Sequence, residues 1–217
     1  MNEEKEKKTV AVFFADGFEM IEALTPVDYL RRCGVNVLMV SVPSDEMQEP
    51  YTVKSSGGVT IKTDITLFNY LEKYAKADAS LPDAVICPGG GGSQNLASCE
   101  VLLSHLEKCY DKNKIVAAIC ASPAVVLGKT KILKGKKWTC FPGMKDCAKD
   151  EILSSSSHMD SGACNGDNGD NGVRVVVDGN VVTAAAAGCS EEFAFVLCEL
   201  LAGKTEADRV AKSCLVR

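Results

Sequence analysis

"VAAICASPAVVL", residues 116–127, is an apolar run that stops at a cysteine and resumes with the spacing of a helix. Preceded by Lys114 and Ile115, it reads as a buried strand, "KIVAAIC", turning at Cys120 into a helix over "ASPAVVLGK". The same strand-then-helix unit recurs on either side. "TVAVFFADGFE" (9–19) is a β-rich run that ends in Asp-Gly, and "DAVICPGGGGSQNL" (83–96) is a strand followed by a glycine loop. "VNVLMVSV" (35–42) supplies another strand, and "YTVKSSGGVTIKTDITL" (51–67) a small β-excursion around Ser-Gly-Gly. Repeated alternation of this kind predicts an α/β fold with a mostly parallel sheet covered by helices on both faces.

The helices are less uniform. After the first strand, "EMIEAL" predicts a turn or two, ending where Thr25 caps a new helix with Pro26 in its first turn and Gly34 at its end. A longer helix is expected over Asn95 to Tyr110. Toward the C-terminus come a strand near "KKWTCF" (136–141), a helix in "KDCAKDEIL" (145–153), a hairpin "VRVVVDGNVVTA" (173–184) around Asp178-Gly179, and a helix "SEEFAFVLCELLAG" (190–203). The segment 154–172, "SSSSHMDSGACNGDNGDNG", has too little apolar surface to fold alone and is expected to be a flexible insert. Its Asp-Asn-Gly repetition invites a calcium reading, but the spacing and terminal Glu of an EF-hand loop are missing. The 217 residues are read as one domain, 1–217.

Composition excludes several function classes. A net charge of -5 argues against nucleic acid as the main partner, and no apolar stretch reaches the roughly 18 residues that a spanning helix needs. The N-terminus lacks a signal-peptide pattern, so a soluble, cytoplasmic protein is expected. Eleven cysteines with no Cys-x-x-Cys and only two histidines leave little to build a zinc site, and most of the cysteines read as reduced packing residues. No metal is expected.

Cys120 is the cysteine whose position suggests chemistry. A nucleophile at a strand end lies on the sheet edge where α/β ligand crevices form, and a following helix N-terminus lowers a thiol's pKa. A plain core thiol is the alternative, and position alone leaves both open. Cys87 is the control: it also ends a β-rich run, but Pro88 follows it directly. The loop "PGGGG" (88–92) lacks a phosphate loop's lysine, and it is either a bare turn or half of an oxyanion hole in which Gly90 N–H and Ala121 N–H face a substrate oxygen. Glu19 and Glu22 leave the first strand on the same edge, which puts one of them in range of the cysteine; burial of Glu22 in "MIEAL" favours its protonated form. His105, in a surface-helix pattern, and His158, in the serine-rich insert, are poorly placed as bases. No histidine follows His158, which argues against a class I amidotransferase or a cysteine peptidase.

Taken in order, "ADGFEMIEALTPVDYLRRCGVNV", "VICPGGGGSQNL", "VAAICASPAVVL", "VTAAAAGCSEEFAFVLCELLAGK" and "VAKSCLVR" resemble the ThiJ/PfpI superfamily, in its parkinsonism-associated protein deglycase branch. The resemblance implies a flavodoxin-like three-layer sandwich that forms a homodimer and needs no cofactor. It matches Cys120 to an oxidation-prone nucleophile, Glu22 to its protonated carboxyl partner, and Gly90 and Ala121 to the backbone donors. The implied activities are glyoxalase or deglycase action on methylglyoxal-type α-oxoaldehydes and glycated adducts, or an oxidative-stress role as a redox sensor or chaperone. Two departures stand out: Phe141 occupies the position of a family histidine, and an arginine is missing around Gly57.

Overall fold

The structure, a computed structural model, describes residues 7–43, 49–161 and 172–216. The elements run β1 (Thr9–Phe14), α1 (Met20–Arg32), β2 (Asn36–Ser41), β3 (Thr52–Lys54), β4 (Thr60–Lys62), β5 (Ile65–Thr66) and α2 (Leu67–Tyr74). They continue with β6 (Ala84–Cys87), α3 (Gly92–Ser98), α4 (Glu100–Asp111), β7 (Ile115–Ile119), α5 (Ser122–Val125), β8 (Lys137–Trp138), α6 (Asp150–Ser155) and β9 (Ser157–His158). The chain closes with β10 (Val175–Asp178), β11 (Val181–Ala184), α7 (Ser190–Ala202) and α8 (Lys204–Ser213).

Among the described residues, seven strands form one sheet in the order β10-β11-β7-β6-β1-β2-β5, parallel except where β10 meets β11. The unbroken apolar run of β1 follows from its place in the middle, between β2 and β6. Ala11 and Phe13 enter the core on one face of the sheet, while Val10, Val12 and Phe14 enter the core on the other. This is the mostly parallel, helix-covered α/β sheet that the alternating pattern predicts, with the flavodoxin-like architecture that the resemblance implies. The C-terminal ends of β1, β6 and β7 lie side by side, so the loops that leave them meet at one edge.

Several local expectations are corrected. α1 does not break at Thr25; it runs straight through Pro26, and its cap is Glu19, whose Oε2 accepts the Glu22 N–H at 2.8 Å. The proline deprives the Glu22 carbonyl of its helical donor, a local cost of about 3 kcal/mol. Burial of Ala23, Pro26, Val27 and Leu30 on one stripe against the sheet offsets it. The expected Asn95–Tyr110 helix is two helices that meet at Cys99. His105 does not lie on a surface: with Leu102, Leu106 and Cys109 it forms the buried stripe of α4, 4% exposed, its Nε2 2.9 Å from the Tyr70 hydroxyl. Burial pushes this imidazole down to about 4.

The expected insert also begins later than its composition suggests. Residues 154–158 complete α6 and form β9, which pairs in parallel with β8. Its Gly-Asp-Asn stretch, residues 162–171, lies outside the described residues. A second C-terminal helix, α8, follows α7 directly after Gly203. No helix among the described residues is long and apolar enough to cross a membrane.

Candidate active site

Cys120 stands one residue beyond β7 with φ at +64°, a left-handed conformation that costs a non-glycine residue about 1–2 kcal/mol. Hydrogen bonds on both sides hold it there. Its N–H donates to the Ala184 carbonyl at 2.9 Å, and its carbonyl accepts the Phe141 N–H at 2.7 Å. The Ser122 hydroxyl donates to the Pro88 carbonyl at 2.5 Å, tying the start of α5 to the glycine loop. The sharp turn read from the sequence is therefore present.

The helix after it is not the expected dipole source. α5 has four residues before a 3-10 turn takes over, too few to develop a macrodipole. What lies beside the sulfur instead is a pair of backbone N–H groups, those of Gly90 and Ala121, which favour its thiolate. Gly90 reaches this position with φ at +78°, its N-terminal neighbours clasped to the start of α1 by a Glu19 N–H to Gly89 carbonyl bond of 3.2 Å.

Glu22 lies in the first turn of α1 and is 1% exposed. One carboxyl oxygen accepts the Gly89 N–H at 3.0 Å, and the carboxyl meets Cys120 across Gly89. Burial, reinforced by the charge of Glu19, pushes Glu22 up to about 7. Burial and then the Glu22 carboxylate push Cys120 up to about 12, against the pull of the two N–H donors. The pair thus holds a single shared proton across a wide span of pH.

Of the two candidate carboxylates, Glu22 reaches the thiol and Glu19 serves as the helix cap. Gly89 was not singled out by sequence reasoning, although it lies in the glycine run. A Cβ there would stand 2.5 Å from the Glu22 Oε2 and 2.7 Å from the Cys120 Cβ, so only glycine lets the two side chains meet.

The remaining sequence candidates fall outside this contact. Phe141, 42% exposed, touches Cys120 through its backbone and brings no titratable group. Gly57 lies against Met20, whose Cε would stand 2.8 Å from an added Cβ. His158 packs edge-on against Trp138 with its Nε2 3.5 Å from the Cys140 sulfur, one residue away from Phe141 rather than beside Cys120. Cys87 is fully buried, and burial pushes it to about 12 with no carboxyl partner. Among the described residues no group of three or more His, Cys, Asp or Glu side chains is arranged to hold a metal.

The sequence matches the DJ-1/PfpI family over residues 8–200. It is 34% identical to protein DJ-1 homolog B of Arabidopsis thaliana over 208 residues, covering 95% of this chain but 41% of that relative, so it spans less than half of that relative's length. It is 32% identical to protein dj-1beta of Drosophila melanogaster, covering 96% of this chain and 97% of that one. The crystal structure of Drosophila DJ-1beta superimposes with a TM-score of 0.80 over 97% of this chain and 99% of that one, at 31% identity. A deglycase of Pyrococcus horikoshii is 28% identical over 78% of this chain and 85% of its own length. Match and superposition both cover nearly the whole chain, and the protein belongs to the DJ-1/PfpI family.

Proposed function

We propose that this protein is a cysteine-dependent, cofactor-free glyoxalase or deglycase that acts on methylglyoxal-type α-oxoaldehydes and their adducts. The observation that carries the reading is the Glu22 carboxyl and Cys120 meeting across Gly89, with the Gly90 and Ala121 N–H groups beside the sulfur. In the reactive form the shared proton sits on Glu22, and the Cys120 thiolate adds to the aldehyde carbon. The new oxyanion is held by Gly90 and Ala121 N–H and takes the Glu22 proton, giving a hemithioacetal. The Glu22 carboxylate then removes the C1 hydrogen and returns a proton to C2, which converts the adduct to a lactate thioester. Water cleaves the thioester, releasing lactate and the thiol; the net change is addition of one water to methylglyoxal.

With Phe141 in place of an imidazole, Glu22 carries every proton transfer. Lactate formed from methylglyoxal by the wild type, and not by Cys120→Ala, supports the proposal; equal lactate from both sinks it.

A second reading is favoured by the same donors. Two backbone N–H groups and a protonated carboxyl also suit a sulfinate, so oxidation of Cys120 by peroxide would be retained rather than lost. This gives the site an oxidative-stress role as a redox sensor or chaperone switch. Graded peroxide followed by mass spectrometry checks it: Cys120 is oxidised before the exposed Cys147, or the reading fails. We also propose that the chain forms a homodimer, supported by the exposed Ile21 beside Leu24 and Tyr29 on the outer face of α1. A monomer in sedimentation would count against it.

A further inference from the structure

At the edge of the sheet opposite Cys120, the strands β1, β6 and β7 begin side by side, and a charged residue precedes each: Lys8 before β1, Asp83 before β6 and Lys114 before β7. Asp83 stands in the middle. Its Oδ2 accepts the Thr9 N–H at 3.0 Å, which fixes the carboxylate, and its Oδ1 accepts from Lys8 Nζ at 3.1 Å and from Lys114 Nζ at 3.4 Å. One oxygen thus holds two ammonium groups within about 6.5 Å of each other, inside the ~8 Å screening length of physiological salt.

A cavity of about 450 Å³ opens at these strand starts, closed on its far side by the end of α2 and the segment after it. Lys7 and Lys73 line it together with Lys8, Lys114, Asp83 and Tyr74. Lys73 Nζ stands 5.1 Å from the Tyr74 ring centre, and neither Lys7 nor Lys73 meets a carboxylate among the described residues. Four ammonium groups and one carboxylate leave an excess of three positive charges around this hollow, in a chain whose net charge is -5. Each ammonium has three N–H donors; Lys8 and Lys114 use one apiece on Asp83, so donors remain for a ligand.

We propose that this cavity binds a small phosphorylated molecule, its phosphate group held by Lys7, Lys8, Lys73 and Lys114. A phosphate monoester brings a charge between -1 and -2 at neutral pH and three strong acceptor oxygens, which match the excess charge and the free donors. Lysines hold such a group as point charges and adapt to it through their flexible stems. The volume lies within the range of small-molecule sites and leaves room beyond the phosphate for a short organic group. Asp83 acts as a positioning residue: its carboxylate orients two of the four ammonium groups and touches no ligand. An anion among the lysines relieves their mutual repulsion, so binding stabilises the fold. Six residues of β7 and its turn, roughly 20 Å, separate Lys114 from Cys120, and occupancy here is read through binding and stability rather than turnover.

The full-length protein is titrated in a calorimeter with inorganic phosphate and, separately, with glycerol 3-phosphate, at fixed ionic strength with chloride as the balancing anion. Saturable binding at one site is expected for both, tighter for glycerol 3-phosphate. Lys7→Gln and Lys73→Gln, which break no ion pair, each weaken it about tenfold, the worth of one charge-assisted hydrogen bond. Phosphate raises the melting temperature of the wild type and not that of the double variant. Lys62→Gln, which removes an exposed charge on β4 outside the cavity, leaves the affinity within about twofold. Equal weakening by Lys62→Gln reduces the effect to net charge and overturns the proposal, as does a failure of both probes to saturate. Binding of inorganic phosphate without glycerol 3-phosphate overturns the assignment to a phosphorylated molecule.

Discussion

β6 and β7 are adjacent parallel strands; β6 ends on Cys87, directly opposite Ala118, and β7 ends one residue before Cys120. Both thiols are pushed to about 12, chiefly by burial, so acidity alone does not distinguish them. The surroundings do. Pro88 follows Cys87, which stays sealed in the core among apolar neighbours. The left-handed turn at Cys120 swings its side chain out of the strand pattern toward Glu22, Gly90 N–H and Ala121 N–H. One backbone dihedral and one carboxyl separate a packing residue from a candidate nucleophile.

The contrast is broken most directly by substitution at the two cysteines. Cys120→Ala is expected to lower lactate formation from methylglyoxal by about a thousandfold or more, and Cys87→Ala to leave it within about twofold, as kcat/KM measurements check. If Cys87→Ala does the greater damage, the contrast is wrong.

Glu22→Gln comes next, with a loss of roughly a hundredfold in the same assay. It carries a second signature in stability. Glu22 titrates near 4.5 in the unfolded chain and at about 7 in the folded one, so the folded state holds the proton more tightly. The resulting stabilisation is complete below pH 4.5 and is lost as pH rises through about 7. Glutamine stays neutral, so by pH 8 the variant should be more stable than wild type by up to about 3 kcal/mol, read from urea unfolding at several pH values. Parallel pH profiles for the two proteins would remove Glu22 from the pair.

Gly89→Ala tests how closely the carboxyl and thiol must approach. The added methyl meets Glu22 Oε2 and the Cys120 Cβ, and a loss of about 1–3 kcal/mol in chemical denaturation is expected, together with reduced activity. The mildest change is Phe141→His, which puts an imidazole on the residue bonded to the Cys120 carbonyl. A rise in kcat/KM of about tenfold would show proton transfer to be limiting; no change would place the limit elsewhere.

Much of this site is legible from local sequence. A strand ending in Cys-Ala-Ser, a glycine run after another strand and an early glutamate in an apolar setting each carry their own signal. The failures share one cause. At Pro26 the local rule says a helix should begin there, yet burial of the Ala23, Pro26, Val27 and Leu30 stripe keeps one helix intact. His105 occupies the i+3 position of a visible apolar stripe, but an imidazole reads as polar until Tyr70 is seen to partner it. Residues 154–158 look like an unstructured serine tract, and pairing with β8 gives them a strand.

By itself, then, the sequence determined the order of strands and helices, the covered sheet, and the turn at Cys120, because hydrophobic period and glycine placement are local properties. Tertiary structure decided which glutamate meets the thiol, which glycine must lack a side chain, and that His105 is buried against Tyr70. Those contacts join residues 35 to 67 positions apart, as Tyr70 to His105 and Glu22 to Gly89 do. No local pattern encodes them, because their distances are set by how the sheet and its two helical layers pack.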